Sequence, residues 1–134
     1  IEITDASFEI LEGTWTATPL DVTALLGTDE LIAHQNKKVA FKGMTVEASK
    51  DAEGNDVAFL YNWDGSGQDG DDLYFNASVN GTTVNFTIEK YLTGSDTEVY
   101  QTVKNLKIGD IVDMEGFLYW YEGVNPHITS ITVK

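Results

Sequence analysis

The sequence contains neither cysteine nor arginine. The absence of cysteine from its 134 residues excludes disulfides, thiolate nucleophiles and thiolate metal sites. All eight basic residues are lysine, so no guanidinium fork is available for bidentate contacts with phosphate or guanine. With 22 acidic residues the formal net charge is −14, and such a field repels polyanions. We therefore do not expect nucleic acid as a partner.

Long apolar runs and catalytic signatures are also missing. No apolar stretch approaches the length that spans a bilayer, so no transmembrane segment is predicted. The Gly-x-Ser-x-Gly, Walker and HExxH patterns are absent, and His34 and His127 are separated by most of the chain. The length suits a single domain. We predict a protein that is not an enzyme and has no cofactor.

Residues 37–48 (KKVAFKGMTVEA) predict a long strand that bends at Gly43. Before this glycine, the alternating apolar residues are Val39 and Phe41, at odd positions. After it they are Met44 and Val46, at even positions, so the alternation shifts by one residue. A glycine at such a slip is typical of a bulge that lets a strand coil tightly enough to serve two parts of a curved sheet. The pattern therefore favours a small closed barrel.

The rest of the chain predicts further strands and two short helices. Asn80-Gly81 lies between alternating runs and predicts a tight hairpin. Ser95 and Glu98 form the pattern of a helix capping box. Gly116 lies inside a second bent strand. In chain order we predict a helix over 28–35, strands over 57–63, 73–79 and 82–89, a helix over 96–105, and strands over 111–121 and 127–133.

This order is that of a five-stranded Greek-key barrel with a helix after its third strand. The runs KKVAFKGMTVEA, AFLYNWDGSG, LKIGDIVDMEGFLYWYEG and ITSITV together resemble OB-fold modules of secreted or surface-exposed bacterial proteins. The resemblance covers residues 20–134 and implies an all-β, OB-like barrel with one or two short helices and an extra hairpin at Asn80-Gly81. Residues 1–19 are predicted to be a lead-in strand segment. We expect an extracellular or cell-surface module of a larger multidomain chain.

Aromatic side chains are the first candidate binding residues. OB barrels bind ligands on strands two and three and on nearby loops, and exposed rings stack on sugars or nucleobases. The alternative is that these rings cover the termini or a neighbouring module. The candidates on strands two, three and four are Tyr61, Trp63, Tyr74, Tyr119 and Tyr121.

The acidic loop over 64–72 (DGSGQDGDD) is the second candidate. Calcium is the one ion that its hard oxygen ligands suit, and the ligands would be Asp64, Asp69 and Asp71. The spacing does not fit an EF-hand, because the sixth position from Asp64 is Asp69 rather than glycine. We favour a solvated turn over a metal site.

Three functional hypotheses remain from the sequence. The leading one is a non-catalytic binding or accessory module of an extracellular bacterial protein that recognises glycan or protein on the barrel face. The first alternative is a single-stranded nucleic-acid-binding OB domain, for which Lys37, Lys38, Lys42, Lys104 and Lys107 would supply a local basic strip. The last is a small hydrolase, for which no spacing selects a nucleophile or a base.

Overall fold

The computed structural model describes residues 3–134. It contains one α-helix, α1, and two 3₁₀ segments among nine short or medium strands. The strands are β1 Leu20–Asp21, β2 Lys38–Glu47, β3 Ser49–Lys50, β4 Asp56–Val57, β5 Leu60–Tyr61, β6 Leu73–Val79, β7 Thr82–Ile88, β8 Ile111–Phe117 and β9 His127–Val133; α1 is Glu98–Lys104 and the 3₁₀ segments are Thr23–Leu25 and Asp29–His34.

Five of these strands close a barrel. The hydrogen-bonded order runs β1-β2-β8-β9-β7-β6-β5, and an additional pairing of β2 with β6 completes the ring. All pairs within the ring are antiparallel except β7 with β9, which are parallel. Helix α1 lies between the third and fourth barrel strands in sequence. The predicted all-β, OB-like Greek-key barrel is therefore confirmed.

The predicted bend in β2 is present at Gly43. The pairing of β2 with β8 shifts register between Phe41 and Met44. The N-terminal half of β2 lies beside β1, and its C-terminal half lies beside β6, so one strand serves two parts of the barrel. Gly43 has a φ of +62°, and its N–H donates to Asp113 Oδ1 at 2.7 Å. That hydrogen bond is the main reason why the pKa of Asp113 is lowered.

The second internal glycine, Gly116, has a different role. The pairing of β8 with β9 shifts register between Glu115 and Gly116. A Cβ atom built on Gly116 would lie 2.1 Å from the carbonyl oxygen of His127 and 2.8 Å from Cα of Ile128. Only glycine allows the two backbones to approach this closely.

The second barrel strand is not the one predicted. The run 57–63 contains only the last residue of β4 and the two-residue β5, and Asn62, with a φ of +57°, turns the chain away. The second and third barrel strands are β6 and β7, so the Asn80-Gly81 turn joins two barrel strands rather than adding a hairpin. The extra hairpin lies outside the barrel and consists of β3 and β4.

Both predicted helices exist but differ in detail. Helix α1 begins after Thr97, whose side chain accepts from the N–H of Tyr100, so Thr97 rather than Ser95 is the N-cap. The predicted helix over 28–35 is a 3₁₀ segment that starts after Thr28. Residues 3–19 contain neither helix nor strand; the predicted lead-in segment also includes Ile1, which lies outside the described residues.

The core fills the barrel with aromatic and branched side chains. Phe86 contacts Phe41 edge to face at 5.1 Å between ring centroids and stacks on Phe75 at 5.5 Å. Helix α1 closes one end and buries Val99, Tyr100 and Val103. No helix among residues 3–134 is long and apolar enough to span a membrane.

Candidate functional site

One outward-facing row of side chains crosses the five barrel strands. Leu73 and Ile88 point into the core, so their neighbours Tyr74 and Thr87, which pair with each other, point outward. The register then pairs Thr87 with His127, His127 with Phe117, and Phe117 with Lys38. We call these five residues (Tyr74, Thr87, His127, Phe117 and Lys38) the outer row. Four inter-strand steps of about 4.8 Å make it about 19 Å long.

Loop 118–126 covers the middle of the outer row. Thr87 faces outward, but this loop buries it. Its hydroxyl donates to Asn125 Oδ1 at 3.0 Å, and its N–H donates to the Pro126 carbonyl at 3.0 Å. The ring of Tyr119 lies 4.7 Å from that of His127. Burial lowers the pKa of His127, which favours its neutral form. An aromatic pair is thus fixed at the centre of the face.

Alternate residues of this loop point toward the core and toward solvent. Leu118 is buried and Trp120 packs against the core, whereas Tyr119 and Tyr121 are exposed. Strand β8 ends at Phe117, so Tyr119 and Tyr121 lie in the loop between the fourth and fifth barrel strands rather than on strand four as predicted. An isolated bridge between Trp120 and Val124 holds the loop.

The other three predicted aromatic residues lie at or beyond the end of the outer row that is away from Lys38. Tyr74 is half-buried; burial raises its pKa, and the carboxylates of Asp72 and Glu89 raise it further. Tyr61 pairs with Leu73 and packs edge to face on Phe59, so it faces the core side of the sheet. Trp63 is exposed in the following loop. The structure therefore places Tyr74 and Tyr119 on the outward face that His127 shares, with Tyr119 in contact with His127, and places Tyr61 on the core side.

Polar side chains continue the face along β6 and β7. Asn76 and Asn85 form the next outward pair below Tyr74 and Thr87. Asn85 Nδ2 donates to Asn76 Oδ1 at 2.9 Å, and Asn76 Nδ2 donates to Ser49 Oγ at 3.2 Å. Asn85 is exposed, so amide groups are available beside the rings.

The three predicted calcium ligands do not converge. Asp64 accepts from the hydroxyl and N–H of Ser66, which lowers its pKa. Asp69 pairs with Lys104 at 2.8 Å. Asp71 accepts from the N–H of Gln68 and pairs with Lys90 at 3.2 Å, and both contacts lower its pKa. Within residues 3–134, no three His, Asp or Glu side chains form a group that could hold a metal ion, and calcium binding stays a prediction.

Half of the lysines are bound to carboxylates. The four ion pairs are Lys50 with Asp56, Lys90 with Asp71, Lys104 with Asp69, and Lys134 with Asp113. Among the described residues, Lys37, Lys38, Lys42 and Lys107 have no carboxylate within 4.0 Å. The predicted basic strip therefore loses Lys104, and Lys38 stands at the end of the outer row.

Strand order, the helix after the third strand and the outward face of strands two and three define an OB-fold domain. No protein-family model and no curated protein sequence matches the chain. The solved structures that resemble it include two of asparaginyl-tRNA synthetase from Pyrococcus horikoshii, one of them complexed with asparaginyl-adenylate. Each has a TM-score of 0.51 and 16% identity, and the match covers 75% of this chain and 20% of theirs. The chain thus spans about a fifth of these structures, and the likeness shows the fold.

These neighbours correct two predictions. The leading hypothesis, a module that recognises glycan or protein on the barrel face, is wrong, because the structures that share the fold belong to an enzyme named for tRNA. The exclusion of nucleic acid as a partner is wrong for the same reason. The net charge of −14 averages over the whole surface, whereas a face is decided by the few charges that border it.

Proposed function

We propose that this domain binds single-stranded nucleic acid, without catalysis, on the outer row and the adjoining ring of Tyr119. The observation that carries the proposal is one outward row of rings, with Tyr74 on strand two, Phe117 on strand four and His127 on strand five, beside Tyr119 in the loop between strands four and five. OB barrels bind oligonucleotides on the face of strands two and three and on the loop between strands four and five, and this row joins those two places. Stacking of one base on an aromatic side chain contributes about 1–3 kcal/mol.

The structural neighbours support this proposal over the other hypotheses. Their enzyme is named for tRNA, and the likeness covers 75% of this chain. Unpaired bases expose their faces for stacking, whereas bases in a duplex are already stacked on one another. We therefore expect single strands to bind better than duplexes.

The charges around the face favour contacts through bases at the Tyr74 end. Asp72 and Glu89 lie close enough to raise the pKa of Tyr74, and they also act on His127. A phosphate there would be repelled, whereas a neutral base would not. The exposed amide of Asn85 adds hydrogen-bonding capacity for base edges.

Fluorescence anisotropy with labelled single-stranded RNA and DNA tests the proposal. An oligonucleotide of about 12 nucleotides lies within the site size of one OB barrel. We expect Tyr119→Ala to weaken binding roughly fivefold or more, the effect of removing one stacked base. Tyr91→Ala is the matched control, because Tyr91 is 89% exposed and lies outside the outer row. No binding by the unmodified protein, or equal losses in the two variants, would overturn the proposal.

Location is a separate proposal. The cysteine-free, acidic composition supports the predicted bacterial cell-surface or extracellular address. Fractionation of the source cells, followed by detection of the domain in the wall and medium fractions, tests it. Recovery from the cytosolic fraction alone would contradict it.

A further inference from the structure

A groove lies at the lysine end of the outer row. Trp15, Leu20, Lys37, Lys38 and Phe117 line it, and its volume is about 400 Å³. Trp15 is 86% exposed and Phe117 is 41% exposed, so two aromatic rings border the space. We call Trp15, Lys37, Lys38 and Phe117 the basic groove. Phe117 and Lys38 also belong to the outer row, so the two surfaces are continuous.

The basic groove is unusual in its charge. The protein carries 22 acidic residues, yet neither Lys37 nor Lys38 has a carboxylate within 4.0 Å among the described residues. The nearest polar partner of Lys37 is the imidazole of His34, with 3.5 Å between Nζ and Nδ1. Two lysines and two aromatic residues therefore line one groove, and no described carboxylate lies within 4.0 Å of either ammonium group.

We infer that the basic groove binds one phosphodiester and the adjacent base of the single strand, and so anchors its backbone at this end of the interface. This inference rests on the proposed function. Lysine ammonium groups bind phosphate as point charges, and displacement of the counterions that surround phosphate drives such contacts. The rings of Trp15 and Phe117 offer the stacking surface for the base.

The path of the strand follows from the register. Phe117 pairs with His127, and His127 contacts Tyr119, so a strand anchored in the basic groove meets the central rings next. Beyond them, Asp72 and Glu89 border Tyr74 and disfavour phosphate. The backbone thus stays near the lysines, and its bases point along the row.

The salt dependence of binding tests the inference. For single strands, log K falls with log salt by about 0.7 per phosphate contact. Because the groove holds one phosphodiester, we expect the double variant Lys37→Gln/Lys38→Gln to reduce this slope by about 0.7. The control is Lys42→Gln/Lys107→Gln, which removes the same charge from lysines outside the groove and should keep the slope.

Trp15→Ala tests the stacking half of the inference. Loss of the stacking contact with one base should raise the dissociation constant roughly five- to 150-fold. Trp63→Ala is the matched control, because Trp63 is exposed but lies outside the groove and the outer row. Both tryptophans are exposed, so neither change removes core packing.

The outcomes separate the inference from the proposed function. If no single strand binds the unmodified protein, both are wrong. If Tyr119→Ala weakens binding while the lysine pair and Trp15→Ala behave like their controls, the function stands and the basic groove is not part of the interface. A reduced slope in the groove pair alone, together with a loss in Trp15→Ala, supports the inference.

Discussion

The two ends of the outer row differ in charge although they belong to one continuous surface. At the Tyr74 end, Asp72 and Glu89 act on both Tyr74 and His127. At the other end, Lys38 and the neighbouring Lys37 have no carboxylate partner among the described residues. An acidic protein can therefore present a surface whose two halves favour different parts of one polyanion: bases at one end and phosphate at the other.

The difference arises from which lysines meet which carboxylates. The acidic loop neutralises Lys90 and Lys104 through Asp71 and Asp69, close to the helix end of the barrel. The Tyr100 hydroxyl fixes this loop, because it accepts from the N–H of Gly70 and donates to the Asp71 carbonyl. Among residues 3–134, no loop brings a carboxylate within 4.0 Å of Lys37 or Lys38. The contrast is thus a property of the fold rather than of composition.

The largest expected effect comes from Gly116, which joins the two ends. Gly116→Ala would place a Cβ atom 2.1 Å from the His127 carbonyl oxygen and force β8 and β9 apart. We expect a loss of about 3 kcal/mol in the free energy of unfolding, or roughly 10 °C in Tm, measured by circular dichroism. The displaced Phe117 and His127 would also uncouple the two halves of the face.

Gly43→Ala is the matched control for this change. Its Cβ would meet no atom within 4 Å, so the cost is that of a positive φ alone, about 1 kcal/mol. If the two substitutions cost the same, close approach of the backbones is not what requires Gly116. The two bends would then be equivalent, as their sequence patterns suggest.

A feature of the fold could be predicted where the sequence pattern that determines it lies within a single strand or turn. The bend at Gly43 was predicted because a one-residue phase slip at a glycine is visible in the sequence. Gly116 was predicted only as a second bend, since its close contact with His127 depends on a partner strand. The run 57–63 was assigned to the barrel because its alternation looks like a strand. Tyr61 of this run instead packs on Phe59 at the margin of the barrel.

The candidate site was predictable in part for the same reason. Tyr74 follows from alternation along one strand, and Tyr119 follows from the excess of rings after Gly116. The basic groove was not found, because Trp15 meets Lys37 and Lys38 only through the fold. The partners in the four ion pairs of the other lysines are 6, 19, 21 and 35 residues apart in the sequence, and no spacing rule predicts them.

A smaller effect is expected from the titration of His127 at the centre of the row. Burial lowers its pKa, and Glu89 and Asp72 oppose this shift without cancelling it. The unfolded chain therefore takes up the proton first as the pH falls, so His127 contributes a loss of stability below about pH 6.5. Urea unfolding across this range should show the decline, and His127→Gln should flatten it.

Nuclear magnetic resonance titration of the His127 ring would sharpen the comparison between the two ends. Glu89→Gln removes one of the charges that raise the pKa of His127, so this pKa should fall further. A rise in the pKa of His127 after Glu89→Gln would show that the acidic end does not reach the centre of the face.

The smallest expected effect is that of calcium on the acidic end. Asp64 already accepts from Ser66, and Asp69 already pairs with Lys104. Asp71 accepts from Gln68 and pairs with Lys90. A calcium ion would have to displace these contacts. We expect calcium to leave Tm and the fluorescence of the neighbouring Trp63 unchanged relative to sodium chloride of equal ionic strength. A rise in Tm that Asp69→Asn abolishes would instead make the loop a metal site. Because the bound ion would release Lys104 and Lys90 from their carboxylates and neutralise the loop, the charge near the Tyr74 end of the outer row would then depend on calcium.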